Sequence, residues 1–224
     1  MRAMTGTVVV GVSLLAVSLS VRPVASSPKQ GVAPTAKCVS IGKPKPDVTY
    51  TYDHIETTGK RSQYSNVWES VTDTGSRVRV VGPLGTQVQV NVHRIVDDVA
   101  VLSKTTKLDA RGGVIDSTSF GPGLVSDPAF RVCEGKSWPI PTVLATYQSA
   151  QQNAATNTPP GTLRIVAIHE SLTVPAGQFD TVHYIRTSQS VDEYWKALDL
   201  GVIAKHIATL PQIGSATETL VSTK

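Results

Sequence analysis

The groups able to titrate near neutral pH come first: five histidines and the carboxylates beside them. His169-Glu170 opens like the zinc-binding pattern H-E-x-x-H, but Thr173 stands where the second histidine belongs. The segment also reads as a strand, and positions i and i+4 of a strand do not make the helical ligand pair. His183 lies on the strand returning from that one. A hairpin turn of suitable length would set it opposite Glu170. A cross-strand carboxylate–imidazole pair can move protons, but it is also an ordinary polar contact on a sheet surface. The plain contact is the reading adopted, and no catalytic residue is assigned. His54 lies between Asp53 and Ile55, His93 sits beside Asn91 on a polar strand face, and His206, among Val202, Ala204 and Ala208, reads as a core or rim residue.

Other chemical signatures are missing from the chain. There is no G-x-S-x-G nucleophile elbow. Gly121-Pro122-Gly123 lacks the third glycine and the helix of a dinucleotide loop, and there is no phosphate-binding loop or Asp-rich calcium loop. No metal and no cofactor are therefore expected. Basic residues do not interleave with aromatics, so a nucleic-acid partner is not expected either.

The elements that must position these residues show a period of two. Val48, Tyr50 and Tyr52 alternate with Thr49, Thr51 and Asp53. Val88, Val90 and Val92 alternate with Gln87, Gln89, Asn91 and His93, giving one dry face and one wet face. Weaker strand signals cover 77–81, 99–107 and 114–120. The C-terminal third is the most regular, with strands over 163–174, 179–187, 191–197, 202–210 and 215–221. Such spacing predicts a mainly β protein built on an antiparallel sheet or barrel. Gly121–Pro141, rich in glycine and proline, is expected to be a long irregular loop. Thr142–Ala155, with Val143, Leu144, Tyr147 and Ala154 near helical spacing, is expected to be one short helix capped by Thr142.

The N-terminus carries Arg2 and then an uncharged apolar run from Val8 to Val21. At about fourteen residues the run is short of the roughly 20 that span a bilayer, and it fits the core of a secretory signal peptide cut after Ser26. Residues 1–26 are thus expected to be removed, 27–46 to form a flexible mature N-terminus, and 47–224 to form a single β-rich domain with no transmembrane segment. The formal net charge is +4; loss of Arg2 and Arg22 with the signal leaves +2, too little to imply a polyanionic partner. Only Cys38 and Cys133 are present. In an oxidising compartment they most simply form one disulfide. The expected location is the periplasm or the extracellular space.

One stretch adds a likeness. Val174-Pro175-Ala176-Gly177-Gln178-Phe179-Asp180 is followed by Tyr194-Trp195 and then by Gly201-Val202-Ile203-Ala204-Lys205. This resembles a signature of bacterial exported proteins of unknown function, including the TapB-like group, over roughly the last 60 residues. The resemblance implies a curved antiparallel sheet or half-barrel like that of the lipoprotein carriers LolA and LolB, closed by a helix or long loop. Ala197-Leu198-Asp199 departs from the Pro-Gly often found in that pattern. The motif also has a purely structural reading. Pro175 presets φ for a turn, Gly177 permits positive φ, Val174 and Phe179 are expected to face each other, and Gly201 admits a tight loop.

Three functions follow as expectations. The first is an envelope protein that binds or carries a lipid or other hydrophobic ligand on a dry concave sheet face. The second is an assembly protein acting through an envelope protein partner. The third is a hydrolase using Glu170, His183 or His54.

Overall fold

The computed structural model describes residues 37–82 and 87–224. The expected signal peptide and residues 27–36 lie outside the described residues. In chain order the strands are β1 (Cys38–Ser40), β2 (Thr49–Ile55), β3 (Arg61–Val71), β4 (Gly75–Val81), β5 (Val88–Val96) and β6 (Val99–Leu108). Then come β7 (Val114–Pro128), β8 (Arg131–Cys133), β9 (Ser137–Ile140), β10 (Val143–Ser149) and β11 (Asn153–Thr158). The chain ends with β12 (Gly161–Val174), β13 (Gly177–Thr187), β14 (Val191–Ala197), β15 (Ile203–Leu210) and β16 (Gly214–Thr223). Among the described residues there is no helix.

Two expectations are corrected. The helix over Thr142–Ala155 is instead the β10–β11 hairpin, with Val143 opposite Thr158 and Tyr147 opposite Ala154. β10 also pairs along β7, from Leu144 opposite Gly121 to Ser149 opposite Asp116. A strand template beside a Thr- and Val-containing segment outweighs a marginal helical pattern. The long loop over Gly121–Pro141 is largely strand. β7 runs through to Pro128, and Gly121-Pro122-Gly123 forms an irregularity within it, where the register on β6 shifts between Leu102 and Lys104. Glycine and proline mark a bulge there and not an end of structure.

Fourteen strands form one sheet in the order β11-β10-β7-β6-β5-β4-β3-β2-β16-β15-β14-β13-β12-β9, every neighbouring pair antiparallel. β7 and β14 stand eight places apart in it, yet Lys196 on β14 binds Asp127 and the Pro128 carbonyl on β7. A sheet can bring such strands together only by curling. The curl does not close into a barrel, because the edge strands β11 and β9 are not paired to each other.

The residues that bridge the curl are apolar. Val99, Val101 and Val125 from one limb pack with Leu163, Ile165, Val182 and Tyr184 from the other. Each such fully buried side chain contributes about 1.5–3 kcal/mol. The segment after β1 laces across this junction. Ile41 N–H donates to the Phe130 carbonyl at 2.7 Å, and Gly42 N–H donates to Leu198 at 2.6 Å. Cys38 and Cys133 are disulfide-bonded, and β1 pairs with β8 in a separate two-stranded sheet. On a chain-entropy account, closing a 95-residue separation stabilises by about 4–5 kcal/mol. Within the 27–46 stretch, Cys38–Ser40 is strand and Ile41 is buried.

Gly201 has φ +66°, and a Cβ there would lie 2.1 Å from the Gly42 carbonyl oxygen. A side chain at this motif position would therefore push the lacing segment off the sheet. The Pro175-Ala176 turn joins β12 to β13 with Val174 opposite Gly177, whose φ is +138°. Phe179 faces Leu172, not Val174 as the motif alone suggests. Register shifts near Ala167 bend this hairpin, a common effect of bulges. Its tip packs Val174, Leu172 and Phe179 against Tyr50, Tyr52, Val202 and Leu220.

Candidate functional site

The curl creates a groove, and the side chains that line it are decided by register. Tyr184, Tyr194, His206, Glu218 and His54 occupy directly opposite positions on five consecutive strands, so they share one face. Tyr52 and Tyr64 form a second such pair, as do Val78 and Asn91. Residues from both limbs, including Tyr64, Asn91, His93, Asp127, Tyr194 and Glu218, surround a cavity of about 220 Å³. A chamber of about 90 Å³ adjoins it, sharing Trp68, Val78, His93, Asp127, Lys196 and Gly201.

The groove is not the dry, aliphatic surface expected from the sequence. Asn91 and His93, from the wet set of β5, point into it, whereas Val88, Val90 and Val92 fall on the other face. Tyr194 stacks between Tyr184, at 4.8 Å, and His206, at 4.2 Å between ring centres. Tyr52 stacks on Tyr64 at 5.1 Å. These rings supply apolar surface with polar tips.

The charges among them are paired. His206 Nδ1 lies 3.0 Å from Glu218 Oε2, and its Nε2 lies 3.4 Å from Asp192 Oδ1. Both nitrogens face carboxylates, an arrangement that favours the doubly protonated imidazolium. Burial opposes that charge, but the bonds to Asp192 and Glu218 outweigh it and raise the His206 pKa. Burial would push Asp192 up; hydrogen bonding to His206 and the charge of Arg186, whose Nη2 is 3.1 Å away, hold it instead at about 2. Glu218 is likewise lowered against its burial, by His206, by the Tyr64 hydroxyl and by His54, whose Nδ1 is 3.2 Å from Oε1.

At the far wall, buried Lys196 donates to Asp127 and, at 2.8 Å, to the Pro128 carbonyl. Burial raises Asp127, yet Lys196 brings it below the ordinary range. His93 is lowered by burial, despite the Asp127 charge, and is therefore neutral near pH 7. Two polar atoms on this wall have no partner: Tyr184 Oη, on a fully buried residue, and Asn66 Oδ1.

Glu170 and His183, the pair singled out in the sequence, lie on the opposite face of the same sheet. Glu170 is opposite Thr181 and so reaches His183 diagonally, with His183 Nδ1 3.2 Å from Oε2. His183 Nε2 lies 3.4 Å from Glu193, and the ring stacks on Trp195 at 4.4 Å. The Trp195 indole N–H donates to Glu170 Oε1 at 2.8 Å, and Lys205 Nζ lies over the indole. His169 contacts Asp180 on the surface at 2.7 Å. Of the residues named from the sequence, Tyr194 and His206 lie at the polar centre of the groove, Tyr52, Asn91 and His93 line it further out, and Gly201 borders it. Asp127, Lys196, Arg186, Asp192 and Glu218 were not named. Their signal was available only as charged residues on strands whose neighbours are apolar.

No protein-family model matches the chain, and no curated protein sequence does. Among solved structures, a protein of Bacteroides fragilis named as a candidate exported protein with a YmcC-like fold is similar at 10% identity, with a TM-score of 0.40. The match covers 84% of this chain and 100% of that one.

Proposed function

We propose that this chain is an exported cell-envelope protein that binds a small ligand in the groove of its curled sheet. The observation that supports this most is the pairing of a cavity with unmet hydrogen-bonding capacity: Tyr184 and Asn66 line about 220 Å³ of space, and their Oη and Oδ1 atoms are buried without partners. Buried polar atoms are ordinarily satisfied, so an unpaired pair beside a cavity marks a place for a guest or for ordered water. The disulfide fits an oxidising compartment, and the signal-like N-terminus supports export. Kinship with the TapB-like and LolA/LolB-like proteins belongs to the same proposal. What supports it is the motif from Val174 to Lys205 together with the curled antiparallel sheet. A lipid carrier in the strict sense fits less well, because charged and polar groups divide the groove.

A second reading, partner binding at a sheet edge, is favoured by β11. Five of its six residues are exposed, and one side of the strand has no neighbour in the sheet among the described residues. Such an edge can accept an added strand. Catalysis by Glu170 and His183 is not part of the proposal: the pair lies on the outer face of the sheet, away from the groove, in a stacked polar cluster with Trp195 and Glu193.

Native mass spectrometry of the mature protein, purified without detergent, tests the binding reading. A small-molecule adduct released on denaturation is the expected result. A clean apo mass, with no stabilisation by any member of a broad metabolite and lipid panel, overturns it.

A further inference from the structure

We infer that the groove takes a neutral, hydroxyl-rich ring compound of monosaccharide size, and not an acyl chain; this names the ligand class for the binding reading and rests on it. Size is the first argument. A cavity of about 150 Å³ accepts benzene, and the main chamber here, at about 220 Å³, suits one ring with its substituents. A long chain seated fully inside would have to continue into the 90 Å³ chamber, past the Asp127–Lys196 bridge that lines both, or leave part of its length in water.

Charge is the second. Every acid lining the cavity already meets a cation: Asp127 meets Lys196, and Glu218 meets His206. Arg186 is held by Asp192. An ionic guest would enter with no free counter-charge to offset its lost hydration, whereas a neutral guest loses far less.

Hydrogen bonding is the third. Tyr184 Oη both donates and accepts, and Asn66 Oδ1 accepts. Asn91 Oδ1 is occupied by Gln89 and Thr105, so the groups Asn91 can offer are its amide N–H donors. Neutral His93 adds a further polar edge. An aliphatic guest would leave these groups unpaired, which is costly, whereas vicinal hydroxyls match mixed donors and acceptors. The rings of Tyr52, Tyr64 and Trp68 provide the apolar wall that the C–H face of such a ring needs.

The test is titration of the mature protein, by calorimetry and ligand-observed NMR, with neutral hexoses and methyl hexosides, with glucuronate and glucosamine as charged counterparts, and with dodecanoate as the acyl probe. The expected result is binding of at least one neutral sugar, at least about tenfold tighter than its charged counterparts. Tyr184→Phe, which keeps the ring, should weaken it by about tenfold. Asn66→Ala serves as the second variant should Tyr184→Phe fail to fold. Binding of dodecanoate with no sugar binding overturns the ligand class but leaves the binding reading standing. No binding of any probe, with bound water only, overturns the ligand class; the adduct measurement above then decides the broader reading separately.

Discussion

The two faces of β14 carry similar residues and differ in what surrounds them. Inside, Tyr194 and Lys196 belong to networks in which Lys196 and Asp192 are buried, Asp127 and Glu218 keep 26% and 27% of their side-chain surface, and the charges meet more than one partner. Outside, Trp195 and Glu193 join a cluster of the same residue types, an imidazole between carboxylates with an aromatic ring and a lysine. Yet Glu170 and Glu193 there keep 40% and 39% of their side-chain surface in water. The pairings look alike on paper, but loss of water makes the inner ones costly to break and the outer ones weak. The lesson is that a cross-strand acid–histidine pair says little about function until its solvation is known.

The comparison breaks most directly at Lys196. Lys196→Met strands the Asp127 carboxylate in the junction and should cost about 3 kcal/mol in denaturant unfolding. Lys196→Met with Asp127→Leu should recover most of that loss, because a well-packed apolar pair often replaces a buried ion pair without penalty. A single-variant loss under about 1 kcal/mol would mean that the inner bridge is solvated like the outer cluster.

The pH dependence of melting separates the faces next. His206, with its raised pKa, contributes stability fully present below about pH 6.5 and lost as pH rises through its folded value. Asp192, Glu218 and Asp127, all lowered, contribute stability present above about pH 4.5 and lost as pH falls through their folded values, about 2 for Asp192. His93 acts in the opposite sense to His206: its lowered pKa adds stability above about pH 6.5 that is lost on acidification. Wild-type stability should therefore decline above neutrality through His206, and His206→Gln should flatten that alkaline limb.

Smaller effects sharpen the contrast on the outside. Trp195→Phe removes the indole N–H to Glu170 and should cost about 1 kcal/mol. Glu170→Gln keeps an acceptor for that indole and should change unfolding by no more than about 0.5 kcal/mol. An outer variant as costly as Lys196→Met would erase the distinction between the two faces.

Much of the fold was legible. Alternation marks β2, β5 and the five C-terminal strands because a sheet sorts side chains strictly by two. β3, Arg61–Val71, gave no usable signal: its polar and aromatic residues are half-buried on both faces, so neither face reads as dry. The β10–β11 hairpin was misread because Val143, Leu144 and Tyr147 suit either period, and only the neighbouring β7 chooses between them. The groove was least legible. Its lining residues come from β2, β3, β4, β5, β7, β13, β14, β15 and β16, and local pattern does not show which distant strands will meet.

By itself the sequence determined the β character, the C-terminal hairpin with its Pro175-Ala176 turn, and the availability of Cys38 and Cys133 to one another as the sole thiols. Tertiary structure alone decided which face is inside. Alternation groups residues into two sets but is blind to the direction of curl, so the polar set of β5 entered the groove while its valines turned away. Curl is a property of the whole sheet, set by bulges, by the apolar junction of its two limbs and by the strand that laces them, and no short window of residues contains it.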